Sequence, residues 1–395
     1  MKKTILWIIA LAVGALLGVL GLAWLNSLMD FIAMVYTRLF QLLAVPTIVL
    51  AVITTFAAFG SKGAGRIFGH TLLYTLLTTF AAAIVGAVLY VLIAPGNLPA
   101  EALAGNAEAN SSLSASLTYY DHILSIVPNN IVKPFLEGNV LSLLLLAFAI
   151  GIGLSKLPES ENKAVVVKGL LGLQELLFLL IRGLIWTLPL GIVAFSAQLS
   201  AQVSAGVVVD SIGKYVLVVL GGNVIQFFVV LPLFLLARGL NPVHVLGRMM
   251  PAVLMALFTK SSAATLPVTM DTAENRLGVR SQVARFVLPI CTTINMNGCA
   301  AFILVTSLFV MQNGGTSLTL TTILLWILIS VVSAVGNAGV PMGCYFLTLS
   351  LMSGIGAPVA ILGVILPIYT IIDMVETAEN VWSDSCVSAL VDHDL

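Results

Sequence analysis

The chain has 395 residues, 59% of them apolar and only 9% charged, with a mean hydropathy of +1.11. Soluble domains carry about 25% charged residues, so an ordinary soluble enzyme or binding domain is excluded and no nucleic-acid partner is expected. The net charge is zero, from 17 cations and 17 anions, yet no Lys or Arg follows Arg285 while six carboxylates do.

Met1-Lys2-Lys3 and the apolar run to Leu25 resemble a signal peptide. The run is long for such a leader and no small-residue cleavage site follows, so it reads as a first membrane helix. Apolar segments long enough to span predict helices near 4–25, 29–59, 67–94, 122–155, 165–196 and 211–237. Their connectors alternate. Lys62 and Arg66, then Lys156, Lys163 and Lys168, then Arg238, His244 and Arg248 mark one side, while 95–121 and 197–211 hold no cation. The positive-inside rule makes the basic side cytoplasmic and places the N-terminus there. The Asn110-Ser111-Ser112 sequon falls in the outer loop 95–121, and chance explains it best.

After Arg248 the pattern changes. Residues 249–275 contain an apolar stretch too short to span, the polar run Thr259-Lys260-Ser261-Ser262-Ala263-Ala264-Thr265-Leu266-Pro267, and another short stretch. Arg248 before it and Arg276, Arg280 and Arg285 after it keep both ends in the cytoplasm, so the segment dips in and returns. Residues 318–356 repeat the design around Ser333-Ala334-Val335-Gly336-Asn337-Ala338-Gly339-Val340-Pro341, with cation-free flanks. Two interrupted hairpins of opposite entry are the sequence pointer to an inverted-repeat secondary transporter. The expected architecture is eight transmembrane helices plus two re-entrant helical hairpins. Six helices fill 1–248, and the core transport region 249–395 holds hairpin 1 (249–275), helix 7 (281–312), hairpin 2 (318–356) and helix 8 (358–391).

Four carboxylates, Asp373, Glu376, Glu379 and Asp384, crowd into twelve residues of the last apolar run. Each costs roughly 2.5–3.5 kcal/mol at a helix centre on insertion scales, and no cation nearby in sequence neutralises them. At about 100° per residue, Asp373, Glu376, Thr377, Asn380 and Asp384 share one face about 100° wide, which leaves Glu379 off the stripe as a structural or water-facing group. In the preceding helix Thr292-Thr293-Ile294-Asn295-Met296-Asn297-Gly298 predicts an unwound turn whose carbonyls attract a hard cation such as sodium. The hairpin tips offer half-helix N-termini and the hydroxyls of Ser261, Ser262 and Thr265 to a carboxylate. Cys291, Cys299, Cys344 and Cys386 have no metal-ligand spacing and read as small buried hydrophobes.

Ser261 to Pro267, Asn295-Met296-Asn297-Gly298, Gly336 to Pro341 and Asp373-Met374-Val375-Glu376-Thr377 with Asn380 and Asp384 together resemble the dicarboxylate/amino acid:cation symporter family. The motif order covers essentially the whole chain. The resemblance implies that Asp373 binds a substrate ammonium, that Asn380 and Thr377 help hold its carboxylate and side chain, and that Ser262 and Val340 close on it. It also implies one sodium site at Asp384 with carbonyls of Cys291, Asn295 and Asn380. A second would use carbonyls near Ala334, Val335 and Asn337 with Thr293 and Met296. A homotrimer is implied too, scaffolded by helices 29–59, 122–155 and 165–196.

Departures from the family narrow the function. Acidic-substrate members carry an arginine where this chain has Glu376, and a glutamate there repels a dicarboxylate. The Asp-x-x-Glu-Thr pattern resembles the serine/threonine branch. The family's third sodium site has lost its aspartate to Asn297 and its tyrosine to Thr75, although Thr78 and Thr79 remain, so fewer than three sodium ions per cycle are expected. Lys260 either pairs with Glu376 or snorkels to the cytoplasm. The leading expectation is a sodium-coupled importer of serine, threonine or alanine in a bacterial-type inner membrane, with both termini cytoplasmic and lipid around it. Cationic substrates with Glu376 as counter-ion, and proton coupling, are the alternatives. An intramembrane aspartyl protease needs its two Asp residues on separate helices, which Asp373 and Asp384 are not, so no enzyme is expected.

Overall fold

The computed structural model describes residues 2–57, 65–98, 127–137, 140–202, 206–335, 337 and 342–395. Every regular element among them is helical. The first two helices, α1 (Lys2–Val19) and α2 (Ala23–Ala57), meet at Gly21, whose φ of 63° suits a residue without Cβ. The expected first helix therefore ends earlier than Leu25 and the second begins earlier than 29. Next come α3 (Gly65–Ile93), the short α4 (Lys133–Glu137), α5 (Val140–Lys156) and the 42-residue α6 (Glu161–Gln202).

The predicted helix 122–155 is not one helix among the described residues. Residues 127–132 form an irregular bend, where the Asn130 side chain accepts from Val132 N at 3.0 Å and Lys133 N at 2.7 Å just before α4. Residues 121–126 and most of the loop after Pro95 lie outside the described residues.

α1 lies along α6 through a Gly14-x-x-x-Gly18 face. A Cβ at Gly14 would stand 2.3 Å from the Val193 carbonyl oxygen, and one at Gly18 would stand 2.1 Å from that of Ala197. Only glycine permits that approach, which is the small-residue packing membrane helices use when water offers no driving force.

α7 (Gly206–Ile225) passes through a π-turn at Gln226–Val230 into α8 (Leu231–Ala237). The first interrupted hairpin follows as α9 (Pro242–Thr259) and α10 (Ser262–Thr272), broken at Lys260, φ 55°. α9 starts seven residues before the expected boundary, since the Asn241 side chain accepts from Val243 N and His244 N and Pro242 suits the first helical position. At 18 residues the whole helix is long and apolar enough to cross a membrane, because it includes residues before the short apolar stretch read from Met249. α11 (Ser281–Ile294) and α12 (Asn297–Asn313) are separated at Asn295-Met296, as the polar motif predicts. The segment expected as the second hairpin holds α13 (Leu320–Ala334) and α14 (Gly343–Gly354). Of its tip, Asn337 is described, while Gly336, Ala338, Gly339, Val340 and Pro341 lie outside the described residues. α15 (Ala360–Asp394) bends by 71° between its Ala360–Leu366 and Ile368–Asp394 parts. The sequence places Pro367 there, which has no N–H for the helix ladder.

Among the described residues five helical stretches are long and apolar enough to cross a membrane, and the bent α15 would be a sixth. One of the five, Ser281–Asn313, has its most apolar stretch buried within the protein, while Ser281, Gln282 and Arg285 at its start are exposed. The apolar interior divides in two. One cluster takes Met296 to Met311, α13, α14 and Ile361 to Ile372, together with side chains of α2, α3 and α6. The other takes Tyr74, the α9 arm, α11 up to Cys291 and Ala378 to Val391. Asp373, Glu376 and Thr377 of α15 and the break at Asn295 fall between them. The polar residues therefore occupy the layer where neither apolar cluster closes, which is where a buried polar group can be met by another.

Candidate functional site

At this layer a narrow cavity is lined by Lys260 and Ser262 of hairpin 1, Met296 and Cys299 at the α11–α12 break, Asn337 and Cys344 of hairpin 2, and Asp373, Glu376, Thr377 and Asn380 of α15. The helical stripe predicted for α15 supplies four of these. Asp373 and Glu376 are buried and both accept from the Tyr369 hydroxyl, at 3.4 and 3.1 Å. One hydroxyl proton serves one of these acceptors well at a time. Asp373 gains a second donor, Met342 N at 3.2 Å, from the start of α14. Glu376 Oε1 has no hydrogen-bond partner among the described residues.

Lys260 does not snorkel. It is 6% exposed and its Nζ donates to the Thr370 carbonyl at 2.6 Å, which holds the ammonium on the cavity wall beside Asp373 and Glu376.

The hairpin hydroxyls separate. Ser262 reaches the cavity. Ser261 is the N-cap of α10, its Oγ accepting from Ala264 N at 3.2 Å. Thr265 Oγ1 donates to the Ser261 carbonyl at 2.9 Å and meets Thr259 Oγ1 at 2.9 Å, so both hydroxyls are occupied in building the tip. Thr377 Oγ1 likewise donates to its own helix, at the Asp373 carbonyl. Asn380 bridges elements: its Oδ1 accepts from Gly298 N at 2.9 Å.

Below the cavity a second polar cluster centres on Asp384. Asn295 Nδ2 donates to Asp384 Oδ1 and to Ser383 Oγ, both at 2.9 Å, and Asn297 Nδ2 donates to Ser383 Oγ at 2.6 Å. From α3, Thr78 Oγ1 donates to Asn295 Oδ1 at 3.2 Å and Thr79 Oγ1 to Asn297 Oδ1 at 2.8 Å. Thr75 Oγ1 stands 3.9 Å from Cys291 Sγ. Two amides and three hydroxyls thus satisfy one another around a single carboxylate. Of the carbonyls expected to hold ions, that of Cys291 accepts from Asn295 N at 2.8 Å and that of Ala334 from Asn337 N at 3.0 Å. Each carbonyl keeps a second lone pair. Thr293 Oγ1 donates to the Ile290 carbonyl at 2.9 Å, inside its own helix. Met296 lines the cavity, and Val335 ends α13.

The profile of the Sodium:dicarboxylate symporter family matches residues 4–394, nearly the whole chain. The chain belongs to this family. Rabbit (Oryctolagus cuniculus) "Neutral amino acid transporter B(0)" is 30% identical over 391 residues, spanning 90% of this chain and 72% of that protein. Rat (Rattus norvegicus) "Excitatory amino acid transporter 2" is 27% identical over 409 residues, 90% of this chain and 71% of that one. The Caenorhabditis elegans "Putative sodium-dependent excitatory amino acid transporter glt-4" is 28% identical over 415 residues, 93% and 83%. Membership makes this chain a transporter rather than an enzyme, in a family of sodium-coupled amino acid symporters.

Within this symporter fold several site residues escaped the sequence reading. Tyr369 lies four and seven residues before Asp373 and Glu376, so its helical phase was the available signal. Cys299 and Cys344 read as inert hydrophobes, yet their sulfurs are bonded to each other across 45 residues of sequence and line the cavity. Only the packing of α14 against α12 makes them neighbours. Glu379 is buried, 1% exposed, so the water-facing reading is corrected. α15 is enclosed on that side by α12, where a Cβ on Gly298 would stand 2.8 Å from Glu379 Oε2 and 2.9 Å from Asn223 Oδ1.

Proposed function

We propose that the chain is a sodium-coupled symporter of small neutral amino acids, of serine, threonine or alanine type, working by alternating access in a cell's inner membrane. Glu376 carries this reading. Its carboxylate stands beside Asp373 on the cavity wall, with Oε1 unpartnered among the described residues. An amino acid ammonium complements Asp373. A second carboxylate on the substrate would meet Glu376, and like charges at a desolvated contact cost several kcal/mol. The 30% identical relative bears the name of a neutral amino acid transporter, in line with that chemistry.

Sodium is cargo in this reading. Asp384 and the carbonyls of Cys291, Asn295 and Asn380 would hold one ion, and carbonyls at Ala334, Val335 and Asn337 with Thr293 and Met296 a second. The hydrogen-bonded amides and hydroxyls of Thr78, Thr79, Asn295 and Asn297 support a cycle with fewer than three ions, because no carboxylate remains at Asn297. Eight spans with two re-entrant hairpins related as inverted repeats, cytoplasmic termini and a homotrimer complete the proposal. Exposed apolar side chains on α6, such as Trp186 at 77%, support a face covered by lipid or neighbouring protomers.

A second reading, a cationic substrate, is favoured by the open acceptor at Glu376 Oε1. Uptake of labelled serine into proteoliposomes under an inward sodium gradient decides between them, with excess threonine, aspartate and lysine as competitors. Threonine competition without aspartate competition is the expected result. In Glu376→Arg, serine uptake is expected to fall roughly 10–100-fold while aspartate becomes a competitor. Competition by lysine alone would replace the neutral reading with the cationic one. Uptake that ignores sodium and follows a proton gradient would overturn sodium coupling.

A further inference from the structure

Beside Glu376 the cavity contains two sulfurs that amino acid and sodium transport leave unused. Cys299 Sγ, Cys344 Sγ and a carboxylate oxygen of Glu376 lie within 4.8 Å of one another, and all three residues are buried. We propose that, with the two sulfurs reduced, these residues form a binding site for a thiophilic divalent cation of the zinc class, occupied in place of the amino acid.

Three observations converge on it. The first is ligand chemistry. Two thiolates and a carboxylate suit a tetrahedral zinc-class ion with metal–sulfur bonds of about 2.3 Å. Soft sulfur donors disfavour sodium, magnesium and calcium, so the site is chemically separate from the oxygen-lined positions around Asp384. Met296 lines the same cavity and offers a thioether for the fourth position.

The second is an unused acceptor: Glu376 is 1% exposed and its Oε1 has no partner among the described residues. The third is the surroundings of the sulfurs. Asn337 Nδ2 stands 2.9 Å from Cys299 Sγ and 3.2 Å from Cys344 Sγ, and Asn380 Nδ2 stands 3.5 Å from Cys299 Sγ. Amide donors at this range favour thiolates and fix their direction, as second-layer groups do at metal sites.

In the structure the sulfurs are bonded to each other, joining the start of α12 to the start of α14. Reduction by a phosphine consumes one water, gives the phosphine oxide and leaves two thiols. Metal binding then displaces the two thiol protons. The disulfide and metal-bound states exclude each other because the metal needs two thiolates, and forming the S–S bond oxidises both to neutral sulfur. A bound metal also takes the Glu376 oxygen and fills the space beside Asp373, so metal and amino acid compete.

Cobalt(II) is the probe, because a thiolate–cobalt charge-transfer band reports sulfur ligation directly and needs no transport. The full-length protein, purified in detergent and reduced, is titrated with cobalt(II). The expected result is a charge-transfer band saturating at one cobalt per protomer and displaced by zinc(II). Cys299→Ser and Cys344→Ser should each lose the band, and Glu376→Gln should weaken binding roughly tenfold or more. Diamide treatment of the wild type should abolish the band together with two titratable thiols. Excess serine should raise the cobalt concentration needed for half-saturation.

Gel filtration shows whether each variant remains folded, and diamide supplies the same loss without a substitution. No band in the reduced wild type, or an undiminished band in both serine variants, overturns the proposal. Neither outcome touches the amino acid reading, which rests on sodium-driven uptake measured without the metal.

Discussion

Glu379 shows how a carboxyl group can be buried in a membrane helix at a cost. Neither of its carboxylate oxygens has a hydrogen-bond partner among the described residues, and the nearby Asn223 Oδ1 has none either. Leaving a buried acceptor unmet costs about 1–3 kcal/mol. A glutamine keeps the shape and adds an amide donor facing Asn223. Glu379→Gln is therefore expected to stabilise the protein by about 1 kcal/mol, raising its melting temperature by about 2–4 °C in a thermal gel-filtration assay. A lower melting temperature would mean that Glu379 holds a partner of its own. Asn297 is the opposite case, a neutral residue where the family pattern has an aspartate. Both ends of its amide are engaged, the nitrogen donating to Ser383 and the oxygen accepting from Thr79. Asn297→Asp replaces that donor with an acceptor for a cation. The Hill coefficient of sodium-driven serine uptake is expected to rise, and an unchanged coefficient would count against an ion site there.

At the scale of elements, the site depends on helices that stop at set points. Ser261 caps α10 through Ala264 N, and such a cap is worth about 0.5–2 kcal/mol when replaced by alanine. Ser261→Ala is expected to loosen the tip, seen as faster amide exchange confined to residues 262–272. Gly298 sets the approach of α12 to α15. A Cβ there meets Glu379 Oε2 at 2.8 Å and the Glu376 Cα at 3.0 Å, and the second of these is backbone. Gly298→Ala must push α15 outward, so a loss of both thermal stability and serine uptake is expected. Retained uptake at wild-type level would show that the two helices have slack the structure does not display.

The broken helix α11–α12 and the stripe on α15 were legible in the sequence, because both are local. Polar residues three, four, seven and eleven positions apart on a helix share a face whatever surrounds it. Tip hydroxyls were harder to read. Ser261, Ser262 and Thr265 look equivalent in sequence, yet capping consumes Ser261 and an internal hydrogen bond consumes Thr265, leaving Ser262 on the cavity.

Across the whole molecule, the charged groups collect at one end of the core region. Arg238 pairs with Asp394 at 2.5 Å, Arg280 with Asp392 at 2.7 Å and Arg285 with Glu274 at 2.8 Å. The first two pin the end of α15 to α8 and to the start of α11. Arg285 holds the Glu274 carboxyl below its usual range. A depressed folded-state value means the pair's contribution is present above the unfolded carboxyl pKa, about 4.3, and is lost as pH falls through the lower folded value. Arg285→Gln is expected to flatten the acid side of the melting-temperature profile slightly, since exposed pairs contribute little and salt screens them.

Composition alone determined that this chain lives in a membrane, since so few charges and so much apolar length leave no other solvent for its surface. Helical periodicity determined which side of α15 is polar, and the positions of Lys260 and Asn295 determined where two helices break. What tertiary structure decided were the encounters. It bonded Cys299 to Cys344, set the Tyr369 hydroxyl between Asp373 and Glu376, turned Lys260 onto the Thr370 carbonyl and enclosed Glu379 behind Gly298. Each of these depends on which neighbour a face meets, and helix geometry fixes the direction of a side chain without fixing what lies opposite it.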